Sequence, residues 1–192
     1  MAAHLPRPDQ PLPLVAVRTG QEVVRQGEAC LHASVIETGA LLATVVSPDG
    51  RVLALDVLGP GDPVGEPDRV PSLVTVRALR PCRLRPLTGT VEESLMAERA
   101  RRAAALALDL AWSDVADRVD RRLTDLAGRF GRPVPAGVLL ALPITQEDLA
   151  ALAGTSRESV NRALRRLERA GRVAVLARSR YLVRTGLHSV VM

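Results

Sequence analysis

The chain has 192 residues, 47% of them apolar, and carries 26 basic against 21 acidic side chains for a net charge of +5. That length and composition suit one or two domains with buried cores, and no apolar run approaches the ~20 residues a bilayer span needs, so no membrane partner is expected. Cys30 and Cys82 lie far apart without a His or Cys companion at ligand spacing, which argues against a zinc or iron–sulfur cofactor. Buried thiols are the expectation for both, with a redox role as the alternative.

Met1–Pro13 is proline-rich and lacks the apolar core of a signal peptide, so residues 1–13 read as a loose lead-in and the location as cytoplasmic. Residues 14–88 form the second segment, in which apolar runs are short and broken by Gly, Pro and Asp. Val23-Val24, Ser34–Ile36, Leu41–Val46, Val52–Val57 and Leu73–Leu79 read as strands, and Ser47-Pro48-Asp49-Gly50 as a hairpin turn. Short strands at regular spacing suggest a small β-roll or barrel. Across residues 90–113 the pattern turns helical, rich in Ala, Leu and Arg. Ala103, Leu106 and Leu110 recur at spacings of three and four and form a narrow apolar seam. Ser113-Asp114 predicts a break and a fresh helix cap. Residues 114–192 make the last segment, in which 129–143, with Gly131, Pro133, Pro135, Gly137 and Pro143, form or include a connection.

From Ile144 to Leu164 the sequence predicts two short helices joined at Gly154, the second capped by Thr155 or Ser156. At about 100° per residue, Val160, Leu164 and Leu167 share one stripe of that second helix. Arg157, Glu158, Asn161, Arg162 and Arg165 fall on the other side. One face packs, and the other carries the long donors and the acceptor that base edges require. This is a helix-turn-helix pattern. Val173–Leu176 and Tyr181–Val183 flank Ala177-Arg178-Ser179-Arg180 as a hairpin wing with a basic tip. All 26 basic residues are Arg. Nine of them, against four acids, lie from Thr145 onward, so the whole net charge sits in the last 48 residues. A localised positive field of this kind attracts phosphate, and double-stranded DNA is the expected partner.

A β-roll, a long helix and a winged helix-turn-helix in that order resemble the bacterial transcription regulators of the cyclic-AMP receptor protein (CRP/FNR) family. The resemblance runs from about Val23 to Val183. It rests on Arg25-Gln-Gly-Glu28, Gly39, Asp49-Gly50, Leu58-Gly-Pro-Gly-Asp62, Gly65-Glu66, Asp114-Val115 and Thr155-Ser-Arg-Glu-Ser-Val-Asn-Arg162. It implies an α+β chain with an N-terminal double-stranded β-helix or jelly roll of cyclic-nucleotide-binding type, a dimerisation helix and a C-terminal winged helix-turn-helix. It further implies that Arg157 and Arg162 each reach the O6 and N7 of a guanine and that Glu158 accepts from a cytosine amino group. Thr145, Ser156 and Ser159, with Arg178 and Arg180 on the wing, would hold phosphates. The implied operator is an inverted repeat of TGTGA-like half-sites. Successive major grooves about 34 Å apart then require a homodimer, with Ala103, Leu106 and Leu110 as its seam. RNA polymerase is a further candidate partner.

The resemblance weakens where a cyclic nucleotide would bind. Gly65-Glu66 remain, but Ser72 and Leu73 stand where nucleotide-responsive members carry an Arg-Ser or Arg-Thr pair, so a cyclic phosphate loses its charge-assisted partner. Ala103 and Ala104 occupy the positions of the adenine-contacting hydroxyls. Arg69, through a shifted loop, is the alternative phosphate partner. An iron–sulfur sensor lacks its N-terminal cysteine cluster, and His4 and His32 are poor haem ligands. The expectation is a DNA-binding regulator with a reduced effector domain, no cofactor and no dependence on cyclic AMP. The rivals are a regulator answering a nucleotide or other small effector in the roll, and a sensor or scaffold that does not bind DNA. An enzyme fits least, since there is no Ser/His/Asp grouping, phosphate-cradling loop or metal spacing.

Overall fold

The computed structural model describes residues 14–30, 33–65, 70–87, 93–177 and 179–184. Six strands come first: β1 (Val15–Val17), β2 (Glu22–Val24), β3 (Ser34–Val46), β4 (Val52–Leu58), β5 (Pro63–Val64) and β6 (Thr75–Pro86). All pair antiparallel, in the order β1-β6-β3-β4, with β2 also on β6 and β5 on β3. The two runs expected at 34–36 and 41–46 are one strand, bent near Gly39. Gly39 has φ +110°, and a Cβ there would lie 2.7 Å from the Pro81 carbonyl oxygen. Only glycine fits this approach of β3 to β6, where the register shifts between Thr38 and Ala40. The hairpin turn closes where it was expected, with Gly50 N donating to Ser47 O at 2.8 Å.

Two helices follow, α1 (Glu93–Trp112) and α2 (Val115–Phe130). Asp114 caps α2, its carboxylate accepting the Asp117 N–H at 2.8 Å. Arg118 ties the elbow together, donating to Ser113 O at 2.6 Å and to Ala153 O at 2.7 Å. The stretch expected as a connection contains two further strands, β7 (Arg132–Val134) and β8 (Gly137–Leu140). Pro133 is tolerated because β7 lies at a sheet edge. Then come α3 (Gln146–Leu152), α4 (Arg157–Arg169), β9 (Val173–Ala177) and β10 (Arg180–Val183), the four late strands pairing in the order β7-β8-β10-β9.

The core has two parts. One lies within the roll, around Ile36, Leu41, Leu58, Val76 and Leu84. The other starts on the roll at Leu42, Val57 and Leu79, runs through Val119, Leu123 and Leu126 of α2, and ends at Leu149, Val160, Leu164 and Tyr181. Each fully buried Leu contributes about 1.5–3 kcal/mol, so this second part binds the helix-turn-helix to the roll. Charges reinforce the join. Arg129 donates to Asp56 at 2.8 Å and to Val57 O at 2.6 Å, Arg102 meets Asp56 at 2.8 Å, and Arg77 of β6 meets Asp148 of α3 at 2.8 Å.

Candidate nucleic-acid interface

The second helix of the helix-turn-helix is held by its buried face. Val160, Ala163, Leu164 and Leu167 of α4 are all inside. Of the two hydroxyls expected as caps, Ser156 takes the role, accepting the Ser159 N–H at 3.2 Å. The preceding turn depends on Gly154, whose φ is +58°. Arg157, Glu158 and Arg162 all stand exposed on the open side of the helix. Arg157 donates to Gln146 at 3.3 Å and Arg162 to Ser159 Oγ at 2.8 Å, contacts that orient both guanidiniums without burying them. The backbone N–H of Glu158 and the Ser156 side chain hold the Glu158 carboxyl below its usual range. It is therefore an anionic acceptor at neutral pH.

Thr145 caps α3 in a reciprocal capping box: it accepts the Asp148 N–H at 3.0 Å while Asp148 accepts the Thr145 N–H at 2.8 Å. The sequence signal for Asp148 is the Thr-x-x-Asp pattern at 145–148. A cleft of about 550 Å³ separates α3 and α4 from the wing, with Thr145, Gln146, Arg157 and Ser179 on its walls. Ser179 ties the wing tip to the body by donating to Ile144 O at 2.6 Å. Arg180 is exposed at the start of β10, and Arg178 lies outside the described residues.

The roll contains a second feature. Gly65 and Ser72 line a cavity with Leu58, Val64, Val76 and Arg99, and its volume is about 10 Å³. That is room for one water, whereas small-molecule sites run to about 300–1,000 Å³. Ser72 is buried, and its hydroxyl is spent on Val74, accepting the N–H at 3.2 Å and donating to the carbonyl at 3.0 Å. Leu73 points out, 77% exposed. Glu66 and Arg69 lie outside the described residues, as do His4 and His32.

Two family descriptions match the chain: a cyclic nucleotide-binding domain over residues 14–105 and a Crp-like helix-turn-helix domain over residues 117–187. A CRP-like cAMP-activated global transcriptional regulator of Mycobacterium tuberculosis is 32% identical over 162 residues, covering 76% of this chain and 72% of that protein. The chain belongs to the CRP/FNR family of transcription regulators. The cAMP-activated global regulator Vfr of Pseudomonas aeruginosa is 29% identical, over 80% of this chain and 81% of that protein. Among solved structures, a CRP/FNR-family regulator of Thermus thermophilus superposes with a TM-score of 0.75 at 21% identity, over 89% and 93% of the two chains. The c-di-GMP-responsive regulator CLP of Xanthomonas campestris does so with a TM-score of 0.75 at 23% identity, over 91% and 94%. These relatives are regulators rather than enzymes, and regulators of this family bind DNA and are typically dimers.

Two sequence expectations for this CRP/FNR chain need correction. Leu106 is only 5% exposed, turned toward its own chain, and Leu110 is half-buried beside Gly154, so neither is on the free side of α1. Ala103 is exposed, and the open face centres instead on Ala97, Ala100, Ala104, Ala107, Leu108 and Ala111. Second, Cys30 sits between β2 and β3 rather than in a strand and is only partly covered; Cys82, on β6, is buried as expected. Cys82 is a free thiol. Among the described residues no cluster of His, Cys, Asp or Glu could hold a metal ion, and no helix is long and apolar enough to cross a membrane.

Proposed function

We propose that this regulator binds DNA as a homodimer, reads a palindromic TGTGA-like operator through Arg157, Glu158 and Arg162, and does so without cyclic AMP. The observation that carries the reading is the open face of α4: two guanidiniums and a carboxylate, all exposed, with Arg157 hydrogen-bonded to Gln146 and Arg162 to Ser159. Bidentate arginine on guanine and carboxylate on cytosine follow from those groups. Thr145, Ser156, Ser159 and Arg180, with Arg178 beyond the described residues, are the phosphate contacts of this reading, and they fix register rather than sequence. Pairing runs along the exposed alanine face of α1, whose small side chains let two helices approach closely.

Independence from cyclic AMP is supported by the small cavity, by the spent Ser72 hydroxyl and by Leu73 facing solvent. The named activation of two relatives by cyclic AMP favours the opposite reading, in which the roll answers a nucleotide. Selection of duplexes from a randomised library by the purified protein, with no nucleotide present, tests the function directly. Enrichment of an inverted repeat with half-sites about 10–10.5 base pairs apart supports it. Enrichment only after nucleotide is added supports the second reading, and no enrichment in either condition refutes both.

A further inference from the structure

The only tryptophan of the chain, Trp112, ends α1 with 81% of its surface exposed. Close by lies a groove of about 600 Å³ whose largely apolar walls come from Val45, Val52 and Leu53 of the β3–β4 hairpin, Leu110 of α1, and Gly154 and Thr155 of the turn before α4. Trp112 cannot enter it. Residues two apart on a helix point about 160° from each other, and Leu110 already faces the groove.

A second copy can reach it. On the wheel of α1, with its open face centred near Ala104, Trp112 sits about 80° to one side and Leu110 about 120° to the other. In a parallel two-fold pair, each helix sets one flank against the opposite flank of its partner, which brings each Trp112 to the partner's Leu110 side. Area argues for the same occupant. The open face is mostly methyl groups, while stable interfaces bury about 1,200–2,000 Å². Two indoles, each burying about 150–250 Å², supply a substantial part of that. Arg51, which also lines the groove, offers a cation to an aromatic ring.

We propose that Trp112 of each protomer docks in the partner's groove between the β3–β4 hairpin, Leu110 and the Gly154–Ser156 turn. The proposal rests on the homodimer proposed above. It makes the partner a supporting wall for the turn whose Ser156 caps the reading helix, so that pairing and the seating of α4 are coupled.

Because Trp112 is the only indole, its fluorescence reports the contact without a label. Full-length protein is examined by sedimentation velocity at several concentrations, with tryptophan emission and acrylamide quenching on the same samples. The expected result is a dimer whose emission lies at shorter wavelength and whose quenching is several-fold weaker than that of free N-acetyltryptophanamide. Val52→Glu, at a half-exposed groove position, should return emission and quenching toward the free value. Trp112→Ala should weaken dimerisation at least tenfold while leaving the far-ultraviolet circular dichroism unchanged. A dimer with a freely quenched indole overturns the docking and leaves the dimer standing. A shielded indole that Val52→Glu does not release, with circular dichroism unchanged, also overturns it. A monomer at tens of micromolar removes the dimer and the docking together. A freely quenched wild-type indole overturns the docking even if both variants fail to fold.

Discussion

Arg162 is exposed on α4 and donates to Ser159 Oγ at 2.8 Å, so its removal costs the protein fold little and the proposed base contact much. Arg162→Ala should lose about 1–3 kcal/mol on the selected operator, relax preference at one base pair, and leave binding to random duplex nearly unchanged. Competition titrations with single-base variants of the operator check this; equal losses on specific and random DNA would reassign Arg162 to phosphate. Gly154 presents the opposite case, a residue that matters to the fold. At φ +58° any side chain is strained, and a Cβ would also press Leu110 Cδ2 at 2.4 Å. Leu110 is flexible enough to yield in part, so the backbone term dominates and Gly154→Ala should cost about 1–2 kcal/mol by thermal or urea unfolding. An unchanged midpoint would mean that the turn relaxes freely.

Elements differ in how far the sequence discloses them. The α1–α2 break was legible because Asp114 is a side chain with a specific local job, accepting the Asp117 N–H. Asp114→Ala should therefore cost about 1 kcal/mol, read as a lower melting temperature. The Asp117 N–H and then Arg166 hold the Asp114 carboxyl below its ordinary value of 3.8. The folded group thus stays ionised to lower pH than the unfolded one. Its contribution is complete above about pH 4 and fades as pH falls through the lowered value. The helix-turn-helix was legible for a similar reason, with a cap, a glycine turn and a two-faced helix close together. Strands β1, β5 and β7 were not, being two or three residues long and showing no alternation to detect. The free face of α1 is not legible in the sequence because apolar residues occur all round that helix. Its buried side is set by Leu106 together with Arg102, which meets Asp56 and Asp62, and Asp109, which meets Arg121. Charges that are buried because their partners lie on distant elements leave no periodic signal.

At the scale of the whole molecule, the helix-turn-helix is joined to the roll by shared apolar core and by the cluster of Asp56, Asp62, Arg102 and Arg129. Burial holds the Asp56 carboxyl above its ordinary value despite Arg129 and Arg102. For Asp62 burial acts in the same direction, but the Arg102 hydrogen bond, the Gly59 N–H and the two arginine charges outweigh it, and its carboxyl lies below the ordinary 3.8. Asp62 therefore contributes stability that is complete above the unfolded carboxylate value near 4 and is lost as pH falls through its lowered one. Arg129→Ala leaves two poorly solvated carboxylates with Arg102 alone and should cost about 3 kcal/mol at neutral pH. Asp62→Asn should flatten the acid limb of a melting-temperature profile. An unchanged acid limb would show that the cluster does not govern acid unfolding.

Sequence-specific DNA binding that needs no cyclic nucleotide is read out by fluorescence anisotropy. The probe is a labelled duplex carrying TGTGA and TCACA about six base pairs apart, titrated at fixed salt with and without cyclic AMP. Tight binding is expected in both conditions, lost on a scrambled duplex of the same length. Binding that appears only when cyclic AMP is added would contradict it, and would mean that the small cavity beside Ser72 opens to admit the nucleotide.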